Sequence, residues 1–325
     1  MKIFKITAIA VAALILIVVA AGIYVKTALP DTGPAPDITI ERTPVRLERG
    51  KYLANHVAVC MDCHSKRDWN LFAGPIAAHF GGGGEKFDQQ MGFPGVFYAP
   101  NITPYALGEW SDGEIFRAIT TGVTKEGRAL FPLMAYHRFG QLDQEDIYSI
   151  IAYIRELPPV KKDIPRSQAD FPVNYLINTM PQKANFTKLP SMQDQLGYGK
   201  YLITASGCVD CHSKTDKGSV IKGSEFGGGM EFVSPHGIVR SANITMHKET
   251  GIGSWSKQAF IKRFKAYADS SYISPKLQPG ELNTPMPWTM YAGIQEADLE
   301  AIYAYLASIT PIENRVIRLE KKTSK

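Results

Sequence analysis

The sequence predicts an all-α protein, in which two tandem copies of one small helical domain follow an N-terminal helix of membrane-spanning length. Three observations carry this expectation. The run from Ile6 to Val25 is uncharged and 20 residues long, which is the length of a helix that crosses a bilayer. The remainder of the chain repeats itself in order. Within each copy, capping signals and apolar residues at helical spacing mark short helices joined by long loops.

The chain has 325 residues, enough for two domains of ordinary size. Its formal charge of +5 is concentrated at the ends: Lys2, Lys5 and Lys26 flank the apolar run, residues 315–325 carry a net +4, and the rest sums to −2. A basic folded face is therefore missing, which excludes a nucleic-acid partner. Lys2 and Lys5 on the near side of the apolar run favour an orientation that exports everything after it. Residues 1–27 read as an uncleaved anchor, with a cleaved signal as the alternative because "VVAAG" is a passable cleavage site. The first reading gives a single-pass inner-membrane protein facing the periplasm, the second a soluble periplasmic one. A lipid-anchored cysteine is excluded, since no cysteine lies near this segment.

The repeat starts with "GKYLANHVAVCMDCHSKRD" from Gly50 and "GKYLITASGCVDCHSKTD" from Gly199. It continues with "FGGGGEKF" at Phe80 against "FGGGMEF" at Phe226, "NIT" at Asn101 and Asn243, and Trp-Ser at Trp110 and Trp255. It closes with "PLMAYHRFGQLDQEDIYSIIAYI" against "TPMPWTMYAGIQEADLEAIYAYL". The offset is 148 at the cysteines and 152 at Met134 and Met286, so one domain has been duplicated with little change in loop length. The expected division is 1–27 anchor or signal, 28–45 linker, 46–160 first domain, 161–195 proline-rich strap, 196–311 second domain and 312–325 basic tail. Ser111 and Glu114 have the spacing of a capping box. Asp143 caps a last helix reaching Leu157, with Ile147, Ile150, Ile151 and Ile154 at helical spacing, and Pro158 and Pro159 stop it. The strap should be extended, with Phe171, Tyr175 and Leu176 packing on a domain surface. The basic tail reads as a solvated end. "FGGGGE" lacks the Lys-Ser/Thr of a phosphate loop and reads as a flexible loop. Trp110 and Trp255 read as packing residues.

All four cysteines fall in two Cys-x-x-Cys-His stretches: Cys60, Cys63 and His64, then Cys208, Cys211 and His212. This is the attachment signature of c-type haem, in which the thiols form thioethers and the adjacent imidazole ligates iron. One helical turn separates the sulfurs, so both reach one porphyrin edge and the next residue brings its ring under the metal. A four-cysteine zinc site would need the pairs closer in sequence and leaves both histidines as coincidence. A thioredoxin-like dithiol would carry one motif beside a βαβ pattern. Two covalently bound haem c groups are therefore expected. The sixth ligands expected are Met134 and Met286, each in a Pro-flanked loop just before the last helix of its copy. His137 is an alternative to Met134, but the second copy matches it with Met290. His56, His79, His236 and His247 have no matched partners and read as surface or packed histidines.

On these motifs, with "WSDGEIFRAITTGVTKEGRALFPLM" from Trp110, the chain resembles the class I cytochrome c family in a two-domain dihaem form. It is similar to the cytochrome subunits of bacterial membrane-bound dehydrogenases over about 46–160 and 196–311. The resemblance implies small all-α domains in which Gly50 or Gly199 lets the first helix cross the last beside Tyr153 or Tyr305. It also implies that Arg128 pairs with a haem propionate. The second copy lacks the Gly-x-x-x-x-Gly-Arg segment, which leaves its propionate contacts open. The function expected is one-electron transfer by a non-enzymatic carrier, as a free protein or as a dehydrogenase subunit. Its partners would be a dehydrogenase or quinol-oxidising complex and a terminal acceptor. The competing reading is a dihaem peroxidase, which would need one open iron.

Overall fold

The computed structural model describes residues 2–234, 236–278 and 280–321. Its helices in chain order are α1 (Lys2–Thr27), α2 (Pro44–Tyr52), α3 (Cys60–Cys63), α4 (Pro104–Leu107), α5 (Asp112–Thr121), α6 (Tyr136–Phe139) and α7 (Gln144–Arg155). There follow α8 (Val173–Leu176), α9 (Gln195–Ser206), α10 (Cys208–Cys211), α11 (Lys257–Lys265), α12 (Trp288–Tyr291) and α13 (Glu296–Ser308). The two halves use matching elements: α2, α3, α5, α6 and α7 answer to α9, α10, α11, α12 and α13. Capping explains the starts. Ser111 accepts from the Glu114 amide while Glu114 accepts from the Ser111 amide, a complete capping box on α5. Ser256 caps α11 and Asp143 caps α7 through their side chains.

In each half the first and last long helices cross at a glycine. A Cβ on Gly50 would lie 1.8 Å from the Ser149 carbonyl oxygen, and one on Gly199 2.0 Å from that of Ala301. No side chain fits there, so glycine sets how closely the helices approach. The resulting core is continuous from one half to the other, with Leu53, Ile147 and Ile151 buried in the first and Leu202, Leu299 and Leu306 in the second.

The expectation of an all-α fold needs correction, because among the described residues the loops contain ten short strands. These are β1 (Lys66–Arg67), β2 (Ile76–Ala78), β3 (Lys86–Phe87), β4 (Gly95–Tyr98), β5 (Gln168–Ala169), β6 (Thr215–Asp216), β7 (Ser219–Val220), β8 (Glu231–Ser234), β9 (Gly237–Arg240) and β10 (Leu319–Lys321). All pairings are antiparallel, in the orders β1-β2, β3-β4-β5, β6-β7 and β10-β9-β8. Long loops must satisfy their backbone groups somewhere, and here they do so by pairing with one another. The strap is not simply extended: β5 joins a sheet, and the amides of Asn185 and Thr187 bond to the carbonyls of Gly140 and Gln141. The tail is not only a solvated end either. Up to Lys321 it returns as β10, where Arg240 bridges Glu231 and Glu320; residues 322–325 lie outside the described residues.

Phe171, Tyr175 and Leu176 do not pack on a domain surface: they are 80%, 44% and 48% exposed. Their segment sits instead beside the end of α1, where the Asn178 amide donates to the Val25 carbonyl and Lys26 lies over the Tyr175 ring.

Just before the cysteines the two copies differ by one inserted residue. From Gly50 to Val57 the offset to the second copy is 149, whereas at the cysteines it is 148. The extra residue is absorbed as a π-helical turn, Leu53–Val57, whereas α9 runs on as α-helix to Ser206. Both segments then turn sharply through a left-handed residue before the first cysteine: Val59 at φ 46° and Gly207 at φ 69°.

Candidate haem sites

The Cys-x-x-Cys stretches form single helical turns, α3 and α10, with all four thiols free. Burial pushes the Cys60 and Cys208 thiols up to about 12. The next residues end the turns, since His64 and His212 leave helical geometry at φ −89° and −87°. Each imidazole is then fixed in the same way. His64 Nδ1 donates to the Pro100 carbonyl at 2.7 Å and His212 Nδ1 to the Ala242 carbonyl at 2.7 Å. That bond assigns the proton to Nδ1 and leaves Nε2 as the free lone pair, the arrangement of a metal-ligating histidine held from behind. Burial also lowers both imidazole pKa values, which keeps the rings neutral.

The glycine-rich stretches support this frame. The Gly83 amide donates to the His64 carbonyl and the Gly228 amide to that of His212, both at 2.8 Å. Both glycines have positive φ, and a Cβ would come within 2.5 Å of Pro100 or 2.4 Å of Ala242. "FGGGGE" is therefore a tightly bonded scaffold and not a flexible loop. The equivalence also shifts by one residue from the sequence match. Phe226 takes the place of Gly81: their amides donate to Ser213 Oγ and Ser65 Oγ respectively, and both are left-handed, at φ 64° and 73°. The "NIT" repeats complete the frame. Asn101 Oδ1 accepts from the amide and hydroxyl of Thr103, as Asn243 Oδ1 does from Thr245, and the Asn101 and Asn243 amides hold the chain after the last helix through Val160 and Ile312. Sequence reading missed the roles of Pro100, Ala242, Gly83 and Gly228; the repetition of "NIT" and of the glycine run was the available signal.

Met134 and Met286 are half-buried against the core, each at the foot of a short turn in which the amide two residues on returns to its carbonyl. Helix caps fix the register between the copies, with Asp143 opposite Gln295. His137 is thus opposite Thr289, not Met290, and its ring faces Asp210 of the other half at 3.7 Å. Trp110 packs against the core, whereas Trp255 is 37% exposed and departs from the expected packing role.

Arg128 and Tyr136 are among the first-half groups without a partner among the described residues. Among the described residues the Arg128 guanidinium has no hydrogen bond or ion pair, and burial, with Arg166 nearby, lowers its pKa. Tyr136, two residues from Met134, is 1% exposed, its hydroxyl is unpaired among the described residues, and burial pushes it up to about 12. A buried orphan hydroxyl and an unpaired half-buried cation fit a bulky group with anionic edges. The donor sets therefore suit haem c. No cluster of three or more His, Cys, Asp or Glu side chains exists among the described residues, so the four cysteines do not converge on one zinc ion.

Comparison with known proteins agrees with this chemistry. Residues 197–310 match the family model of cytochrome c, a class that carries covalently bound haem c. The chain is also similar, over most of its length, to cytochrome subunits of dehydrogenases. It is 25% identical to the cytochrome c subunit of alcohol dehydrogenase (quinone) of Gluconacetobacter polyoxogenes, over 82% of this chain and 56% of the relative. It is 28% identical to the fructose dehydrogenase cytochrome subunit of Gluconobacter japonicus, over 81% and 52%. A diheme cytochrome c-type protein of Cereibacter sphaeroides is 24% identical over 78% of this chain and 83% of its own length. The chain thus spans about half the length of the dehydrogenase subunits it matches.

Proposed function

We propose that the protein is a dihaem cytochrome c that passes single electrons as the transfer subunit of a membrane-bound dehydrogenase, and that it is not itself the catalyst. Residues 46–160 and 196–311 are then tandem class I cytochrome c domains. The observation that carries this reading is the duplicated frame in which a Cys-x-x-Cys turn presents a histidine whose Nδ1 is anchored 2.7 Å from a carbonyl. Cys60, Cys63 and His64 would hold one haem and Cys208, Cys211 and His212 the other, with Met134 and Met286 supplying a further iron ligand each and Arg128 pairing with a propionate. The bound group supplies a reversible one-electron couple, which a thioether ligand shifts to higher potential and closes to small molecules. The chain's own residues hold it covalently, keep the imidazoles neutral and exclude water.

Membrane attachment through α1 is supported by its length, about 39 Å for 26 residues, and by the exposed aromatic group beside its end. Phe171 and Tyr175 next to Lys26 have the composition of an interfacial belt. On this reading the haem domains lie on the periplasmic face of the inner membrane.

The test is the alkaline pyridine spectrum of purified protein, followed by addition of carbon monoxide to the reduced form. Two haem c per chain, one after Cys208→Ala with Cys211→Ala, and no reaction with carbon monoxide are expected. Carbon monoxide binding by half the haem would overturn one methionine assignment and favour the peroxidase-type reading.

A further inference from the structure

The two halves meet through an approximate two-fold arrangement. Tyr52 OH donates to Asp298 Oδ2 at 2.6 Å and accepts from the Gln295 amide at 3.1 Å; Tyr201 OH donates to Asp146 Oδ2 at 2.6 Å and accepts from the Asp143 amide at 3.1 Å. Each tyrosine thus caps the last helix of the other half. The same symmetry brings the turn after each methionine against the helix before the other half's cysteines. On one side His56 Nδ1 donates to the Met290 carbonyl at 2.9 Å. On the other side, Arg138 of the first half enters the second.

The Arg138 side chain is 15% exposed. Its Nη1 donates to the carbonyls of Thr204 and Ala205, at 3.1 and 2.9 Å, in the last turn of α9. Its Nε lies 2.6 Å from Oδ2 of Asp210, the residue between Cys208 and the Cys211–His212 pair. The guanidinium carbon sits 2.4 Å from where a Cβ of Gly207 would be, so only glycine admits it. The first half meets the same need internally: Asp62 is paired with Arg67 at 2.7 Å, and Arg67 also bonds to the carbonyls of Ala73 and Gly74. The second-half residue matching Arg67 is Thr215, which cannot do this.

We propose that Arg138 is a positioning residue of the second haem site, supplied across the interface by the first domain's methionine loop in place of the missing counterpart of Arg67. It orients the Cys208–Cys211 turn and places a fixed positive charge beside it. A cation there disfavours the more positive ferric state of the group those cysteines hold, so it raises the potential of the second centre, and, because its charge also reaches Cys60, raises that of the first by less. This inference rests on the dihaem reading above.

Potentiometric titration of the full-length haem-loaded protein tests it. Arg138→Met should lower one of the two midpoint potentials more than the other, and Arg138→Lys, which keeps the charge, should lie nearer the parent protein. In the one-haem Cys208→Ala, Cys211→Ala background, Arg138→Met should lower the remaining potential by less than it lowers the more affected potential of the two-haem protein. No fall, equal falls at both centres, or equal behaviour of the Lys and Met variants would overturn the proposal. If Arg138→Met fails to load two haems, Asp210→Asn decides: it should raise the same potential, and no rise overturns the idea. Absence of covalent haem from the parent protein would instead be the failure of the dihaem reading.

Discussion

The two Cys-x-x-Cys-His turns share five residue positions, three of them identical besides the aspartate, yet they sit in different surroundings. In the first, Met61 and Asp62 are buried, an extra residue is wound into a π turn, and the left-handed entry is made by Val59. In the second no residue of the turn is fully buried, the entry is Gly207, and the aspartate is met from the other half. The carboxyls register the contrast. Burial pushes Asp62 up to about 6 although Arg67 pulls the other way, whereas at Asp210 burial is outweighed by His137 and Arg138 and the pKa falls below its ordinary value. A duplicated motif therefore keeps its residues while its electrostatics are set by whichever neighbour supplies the compensating charge.

The largest expected effect tests what the copies still share. Gly50→Ala and Gly199→Ala should each cost about 3 kcal/mol, because the new methyl meets backbone and cannot be relieved by a rotamer change. Thermal melts of both variants check this, and a large inequality between them would mean that the helix crossings are not equivalent.

The interface tyrosines should separate the copies. Asp146 keeps a bidentate contact to Arg49 at 2.8 Å when Tyr201→Phe removes its hydroxyl partner. The residue matching Arg49 is Tyr198, so Tyr52→Phe leaves Asp298 with one neutral partner at 3.0 Å. Denaturant titration should show a loss of roughly 2–3 kcal/mol for Tyr52→Phe and about 1 kcal/mol for Tyr201→Phe. The reverse order would contradict the assigned partners.

Smaller effects follow at the entry residues. Val59→Gly should gain about 1 kcal/mol by relieving a β-branched residue of left-handed strain, read as a raised melting temperature. Gly207→Ala should lose stability, since its methyl would collide with Arg138.

The smallest effect is a pH dependence at His56. Burial, opposed by the Met290 carbonyl and aided by the charges of Lys265 and Lys51, lowers its pKa. The unfolded chain takes up the proton first, so His56 contributes stability that is complete above about pH 6.5 and declines as pH falls below it. The melting temperature of the parent protein should drop more steeply between pH 7 and 5 than that of His56→Gln, by the equivalent of about 1 kcal/mol or less. Parallel slopes would remove His56 as the cause.

Much of this molecule was legible in the sequence because its chemistry is local. The spacing within Cys-x-x-Cys-His is one helical turn, the capping box at Ser111 spans three residues, and the apolar run of α1 needs only its own length. Repetition added more: Gly50 with Gly199, Asn101 with Asn243 and Met134 with Met286 pair off by their place in the repeat alone. The strands were not legible, since pairs such as β1-β2 are two or three residues long and have no periodicity to display. The one-residue shift that makes Phe226 the equivalent of Gly81 was hidden for a related reason: identical letters aligned more readily than equivalent backbone angles.

What the sequence by itself determined was the two Cys-x-x-Cys-His motifs and the duplication, because a motif is read within a few residues and a repeat from the order of its letters. What only the tertiary structure decided was which residues lie behind each histidine and which charge meets each aspartate. Pro100 is 36 residues from His64, and Arg138 reaches Asp210 from the other copy. Such partners are selected by helix crossing and loop closure over long separations, and no local pattern encodes them.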